Sequence, residues 1–288
     1  MRGSDFYGIQ NIFCTYAGVR WRGFFPYAVQ HGWQIAATSY ESTDSPLEIW
    51  VWSSRIKSDM SKFYDPDRIR VVGSPYLYLP RVVGSNKFES AGVYVLPHSS
   101  HFARIGFSNE DLKVLLLRLR ARHSHLVLLV YYLDVTSKLC DLVKQLGLQM
   151  AVCGGLWSKD FLINFKKIIS NSYRLYYSSF GSAVLFAQYD GIEVEYVPLF
   201  SRVEYSENAH VNELAASASL VQSDLRWDIN LELGLDQKLS SSECRELIGR
   251  GYKAVSFGQS LKKTVANIKN SSIDRLKNLA PALKKISD

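Results

Sequence analysis

The stretch VYVLPHSSHF, Val93 to Phe102, decides how the rest of the chain is read. It is an apolar run that stops at Pro97 and passes directly into His98, Ser99, Ser100 and His101. A short, non-alternating apolar run reads as a strand covered on both faces, the habit of parallel sheets. Ligands of open parallel sheets bind beyond the carboxyl ends of the strands. Hydroxyls and imidazoles at that end therefore mark either a ligand contact or a polar structural loop. A Ser–His nucleophile is a third reading, but neighbouring residues on an extended chain point apart, and no G-x-S-x-G elbow is present.

Working outward, strand and helix patterns alternate. GVYVLP (92–97), HLVLLVYYLD (125–134), LQMAVCGG (148–155), YRLYYSS (173–179) and IEVEYVP (192–198) read as strands. Between them, 109–123, 136–147, 158–171 and 181–191 read as helices, the first with Asn109 as a candidate N-cap and the second stopped by Gly147. This β-α-β order predicts an α/β Rossmann-like layer with right-handed crossovers. Its carboxyl edge gathers Pro97 to Ser100, Asp134, Gly154–Gly155 and Ser178–Ser179.

A shorter unit comes first. LEIWVWSS (47–54) and RIRVVGSPYLYLP (68–80) read as strands around a helical RIKSDMSKFY. The expected organisation is a reduced N-terminal α/β domain over 1–85, a linker around 81–91, a Rossmann-like domain over 90–205, and a helical region over 206–288.

The 288 residues are 47% hydrophobic and 21% charged, as in ordinary globular proteins, and 13% aromatic, which argues against long disordered tracts. The longest apolar run, Leu126 to Leu133, is far below the ~20 residues a spanning helix needs. MRGSDFYGIQ lacks the apolar core of a signal peptide, so a cytoplasmic location is expected. Cys14, Cys140, Cys153 and Cys244 show no Cys-x-x-Cys spacing, which predicts reduced, mostly buried thiols.

The net charge of +7 is local. Between Lys253 and Asp288 eight Lys or Arg oppose two Asp. Apolar residues there (Leu261, Val265, Ile268, then Leu276, Leu279, Leu283, Ile286) keep helical spacing. Such a tail suits an anionic membrane surface or a terminal helix docked on the N-terminal domain with its lysines in water. No nucleic-acid motif accompanies it, so no nucleic-acid partner is expected.

Four further motifs carry candidate chemistry. SSFGSAVLF (178–186) ends a strand in Ser178 and Ser179, then enters a helix through Gly181 and Ser182, where free N–H groups attract anions. The same pattern also reads as an ordinary cap. VCGGL (152–156) lets a flat ring or sugar approach the backbone at Gly154–Gly155, or makes a tight turn. QHGW places His31 before a glycine, as a general base or as a structural histidine. DPD (65–67) matches a metal-binding D-x-D, although Pro66 makes a turn the easier reading. Neither G-x-G-x-x-G nor a P-loop is present.

In their order, QHGW, WVWSS…FYDPDRIRVVGSP, VLPHSSHF, YYLD, CGG…DFL and YYSSFGSAVLFAQYDGIEVEY resemble the GT-B glycosyltransferases of bacterial surface-polysaccharide biosynthesis, over roughly residues 25 to 200. The resemblance implies a donor nucleotide-sugar on the C-terminal domain, a glycan or lipid-linked acceptor on the N-terminal domain, and no obligatory metal or other cofactor. It implies that His98, Ser99, Ser100, Gly154, Gly155, Ser178, Ser179, Gly181 and Ser182 line the donor site, and that His31 faces the acceptor. Only about 80 residues precede the linker, so a reduced N-terminal domain is expected. A polyol-phosphate transferase with a cytidine-activated donor, and a non-catalytic scaffold, are the alternatives.

Overall fold

The computed structural model describes residues 3–20, 22–23, 25–34, 48–80, 88–100, 103–205 and 227–254. The linker stretch 81–87, His101 and the basic tail beyond 254 lie outside the described residues, and with them the membrane-surface expectation.

Five strands form one sheet: β4 (Phe88–Val95), β6 (His125–Leu129), β7 (Gln149–Ala151), β8 (Ser172–Tyr177) and β9 (Glu193–Tyr196). The spatial order is β7-β6-β4-β8-β9, and every pairing is parallel. The chain thus moves from β4 outward to β6 and β7, then crosses back to β8 and β9. Helices α3 (Asn109–Arg120) and α4 (Ser137–Gln145) cover one face; α5 (Phe161–Ser170) and α6 (Ser182–Tyr189) cover the other. Alternation along β4 and β8 produces this division. Tyr94 and Tyr176 pack with Leu112, Leu116, Leu139 and Leu142, whereas Val93 and Leu175 pack with Phe165, Ile169 and Leu185. Both faces are covered at the central strands β4 and β6, which is why these are apolar without alternating, whereas the edge strands β7 and β9 keep exposed residues such as Gln149 and Glu193.

The local signals explain most boundaries. Gly147 (φ 62) follows α4 and donates to Lys144 O, while Leu148 donates to Val143 O, a Schellman stop. The N-cap of α3 is Ser108, whose hydroxyl accepts from Asp111 N, and not Asn109, which is the first helical residue. The run 125–134 pairs only to Leu129 and finishes in a 3-10 turn, Tyr132–Asp134. The helix expected over 158–171 starts three residues later, at Phe161.

A second, three-stranded parallel sheet is ordered β1 (Ala28–Val29), β2 (Ile49–Val51), β3 (Ile69–Val71). Helix α2 (Ser54–Met60) follows β2, with Ser53 capping it. The stretch 68–80 is a strand only to Val71 and turns into a 3-10 helix at Pro75–Tyr78. A third unit is an antiparallel ribbon of β5 (Ala103–Phe107) and β10 (Ser201–Tyr205). It places strands just before Asn109 and just ahead of the region read as helical, where the sequence pattern marks none. Beyond it, the described residues of the C-terminal region include helices α7 (Ile229–Leu233) and α8 (Ser241–Ala254).

One hydrophobic cluster runs through both parallel sheets. It joins α1 (Ile9–Ala17), Trp50 of the small sheet and Trp52 just after that strand, Tyr76 of the 3-10 helix that follows β3, Val93 and Leu175 of the large sheet, Phe165 and Phe186, and Leu247 and Ile248 of α8. At its seam Tyr76 stacks flat on Phe186 (centroids 4.1 Å, 5°). The Tyr76 hydroxyl donates to Asp190 at 2.5 Å, and buried Lys166 meets the same carboxylate at 3.3 Å while lying over the Tyr76 ring. Burial, with the Asp190 carboxylate beside it, pushes the Tyr76 phenol far above its ordinary value. Helix α8 closes the small sheet, with Tyr27 donating to Leu247 O at 2.5 Å.

The four cysteines are free, with Cys14, Cys153 and Cys244 buried. Burial pushes Cys153 and Cys244 up to about 12. Among the described residues no helix is long and apolar enough to cross a membrane.

Candidate functional site

The crossing back of the chain between β4 and β8 makes a topological switch point, where the loops after neighbouring strands diverge to opposite faces and leave a crevice. Pro97 to Ser100 leaves β4, and Ser178 to Ser182 leaves β8. Two of the quoted motifs thus flank the crevice, with Tyr131 beyond β6 and Gly154–Gly155 beyond β7.

The sheet imposes different duties on these residues. His98 and Ser100 are exposed. Ser99 is buried and holds the loop: its N–H donates to Asp134 Oδ2 at 2.9 Å, and its hydroxyl accepts from Ile105 N at 3.0 Å. Ser178 shares a hydrogen bond with the Tyr94 hydroxyl at 3.0 Å, and Ser179 is exposed. Helix α6 begins at Ser182, and Gly181 brings no side chain to cap it. Its first-turn N–H groups and dipole present positive potential toward the crevice edge.

Gly154 sits at φ 119, and a Cβ there would lie 2.7 Å from the Ser158 side chain, whereas a Cβ on Gly155 would meet open space. The pair thus makes a tight turn and leaves an approachable backbone. Asp65 accepts from Asp67 N at 3.0 Å, capping the short 3-10 helix Pro66–Arg68; the DPD motif is a turn. Among the described residues no group of three or more His, Cys, Asp or Glu could hold a metal ion.

His31 comes from the other sheet, two residues beyond β1. Its loop is held from four sides. Gln30 Nε2 donates to Gly32 O at 2.8 Å, and Trp33 N donates to Ser182 Oγ at 2.8 Å. Trp33 Nε1 donates to Glu232 at 2.6 Å, and Arg55 donates to Gln34 O at 2.6 Å. Glu232, buried on α7, also takes two bonds from Arg55 at 2.7 Å each. The His31 loop and the first turn of α6 are therefore parts of one assembly.

Aromatic side chains complete it, and the sequence reading did not single them out. The 3–8 segment brings Phe6 edge-on to His31 (5.4 Å) and to Trp157 (5.0 Å). Tyr7 lies 6.2 Å from the His31 ring and 4.6 Å from Phe161, and its hydroxyl is 3.5 Å from that of Tyr131. The Tyr131 ring is 4.9 Å from His98. Through Tyr7 and Tyr131, a chain of contacts links the candidate base of one sheet to the candidate donor contact of the other beside the switch-point crevice. Burial pushes both phenols above their ordinary value, so both stay protonated near neutral pH. The doublet in YYLD was visible in the sequence; Phe6 and Tyr7 carry no local motif.

No family model matches the chain. No curated protein matches it either. Among solved structures, one described as "S. aureus MnaA-UDP co-structure" superposes with a TM-score of 0.39 at 13% sequence identity, covering 75% of this chain. The chain spans 60% of that protein's length. A likeness this loose carries no argument about the chemistry of this chain.

Proposed function

We propose that the protein is a glycosyltransferase that moves a sugar from a nucleotide-activated donor to a growing bacterial surface glycan. One observation carries the reading: the uncapped start of α6 lies at the switch-point crevice and is hydrogen-bonded, through Ser182, to the loop that bears an imidazole from the opposite sheet. A phosphorylated donor suits the first feature and an acceptor hydroxyl the second.

On this reading the donor's phosphates lie against the first turn of α6, beside Ser178, Ser179, Gly181 and Ser182. His98 and Ser100 border them on the β4 side, on a loop that buried Ser99 holds in place, and the Gly154–Gly155 backbone admits the flat or cyclic part of the donor. His31 accepts the proton of the acceptor hydroxyl as its oxygen bonds to the anomeric carbon. The bond from that carbon to the phosphate oxygen breaks, and the α6 dipole stabilises the departing charge. The acceptor is a glycan or lipid-linked glycan, met at the inner face of the membrane.

A thermal-shift series with UDP-, GDP-, CMP- and CDP-linked donors tests this reading. A ligand bound only to the native state stabilises it by RT ln(1 + [L]/Kd), about 2.7 kcal/mol at 100 Kd. Stabilisation by a nucleotide-sugar supports it. A response confined to CDP-glycerol or CDP-ribitol would instead make the protein a polyol-phosphate transferase. Indifference to every nucleotide would make it a scaffold.

A further inference from the structure

The aromatic side chains of the cleft have no part in the reaction as written, yet their placement is costly. Tyr7 is the one non-glycine among the described residues with a positive φ (57°), a conformation that disfavours bulky side chains and clusters at binding sites. Its neighbour Gly8 (φ 74) fits so closely against the loop after β7 that a Cβ would lie 2.0 Å from Lys159 O, and Tyr7 N donates to Leu156 O at 2.7 Å. The segment is thus forced into one position, where Phe6 and Tyr7 stand between His31, Trp157 and Tyr131. Trp157 remains 50% exposed there, next to the paired glycines.

We propose that Phe6, Tyr7, Tyr131 and Trp157 form a subsite for an uncharged sugar ring. The proposal rests on the transferase reading above and adds to it where a ring is gripped. Aromatic faces carry partial negative charge and attract the polarised C–H face of a pyranose. Ligand sites combine such apolar walls with a few placed polar groups. Here these are the Tyr7 and Tyr131 hydroxyls, separated by 3.5 Å and each able to donate to or accept from a ring hydroxyl. Tyr132, edge-on to Tyr131 at 4.7 Å between ring centroids, backs the pair. Two imidazoles at the rim, His31 and His98, supply further hydrogen bonds. The α6 turn, in contrast, offers dipole and N–H groups, so phosphate and ring would be sorted to different ends of the cleft.

Saturation-transfer NMR on the full chain, with the methyl glycosides of glucose, galactose and N-acetylglucosamine as probes, tests the subsite. At least one glycoside should receive saturation on its ring C–H protons. Trp157→Ala should weaken that binding tenfold or more and Trp157→Phe should restore part of it. Both variants should stay folded with a cooperative melt, Trp157→Ala losing only the contribution of its packing on Phe6, because half of the indole is already in water. Tyr7→Phe should weaken binding severalfold. UDP and CDP are titrated into the same samples. If nucleotides bind but no glycoside does, or if Trp157→Ala leaves glycoside binding unchanged, the subsite is wrong and the transferase reading stands. If glycosides bind through Trp157 but no nucleotide binds, the transferase reading falls and the subsite stands.

Discussion

Trp33 donates its backbone N–H to the hydroxyl of Ser182 at 2.8 Å, so the loop beyond the small sheet is bonded to the first residue of α6 on the large one. The Ser182→Ala variant leaves that N–H without its partner. A loss of about 1 kcal/mol is expected, measured as a shift of the urea midpoint. An unchanged midpoint would show that the two loops are not joined by this bond.

Glu232 accepts from both Arg55 and Trp33 while almost fully buried. Removing one partner of a buried pair costs about 3–5 kcal/mol; part of Arg55 remains in water, so Glu232→Ala should fall at the lower end, about 3 kcal/mol. Because Glu232 also holds Trp33, turnover should drop further than donor affinity. Equal losses in both would mean that the His31 loop does not depend on it.

His98→Ala and His31→Ala should separate two roles. His98 is exposed at a strand end, so its loss should spare folding and weaken nucleotide binding about tenfold. His31→Ala should spare nucleotide binding and lower turnover by about 10²–10⁴, the range of a general base. Isothermal titration and steady-state rates on the two variants decide it. Unfolding of His98→Ala, with normal affinity in what survives, would reduce PHSSHF to a structural loop.

The Arg70 guanidinium, bonded to both oxygens of Glu48 at 2.7 Å, holds that carboxyl below the usual carboxylate range. A depressed folded-state pKa stabilises the native protein above the unfolded value and loses that contribution as pH falls through the folded one. Wild-type Tm should therefore decline as pH falls below about 4.5, the ordinary carboxylate range. Glu48→Gln should be less stable than wild type at pH 7, with the difference narrowing on acidification. A pH-independent difference would refute the linkage.

Gly8→Ala and Gly181→Ala form a contrasting pair. Gly8 needs φ 74 and has Lys159 O where a Cβ would go, whereas Gly181 is extended with open space around it. Expected losses are about 1–3 kcal/mol for the first, from overpacking, and nearly none for the second. Circular dichroism melts of the two variants suffice to check this.

How much of this could be read beforehand follows from the range of the interactions. The five parallel strands and four covering helices were legible because a doubly covered sheet demands apolar runs such as HLVLL and amphipathic partners such as NEDLKVLLLRLR. Gly147 and Ser182 marked a helix end and a helix start through local chemistry. The ribbon of β5 and β10 was not legible: its pairs, such as Ile105 with Val203, lie nearly a hundred residues apart, and ARIGF has no partner pattern nearby. At the site, His98 and Gly181 were recoverable as strand-end residues. Phe6 and Tyr7 were not, because only tertiary packing carries them to His31. The internal duty of Ser99 was equally hidden, since PHSSHF does not tell a hydroxyl facing the crevice from one that ties its own loop.

The seam of Tyr76, Phe186, Asp190 and Lys166 bears on how the molecule unfolds and breathes. Opening the crevice by swinging one sheet away from the other would separate two stacked rings and strip the Asp190 carboxylate of its phenol donor. On the transferase reading, a ligand would therefore enter through local shifts of the strand-end loops, and both sheets should melt together in a single calorimetric transition.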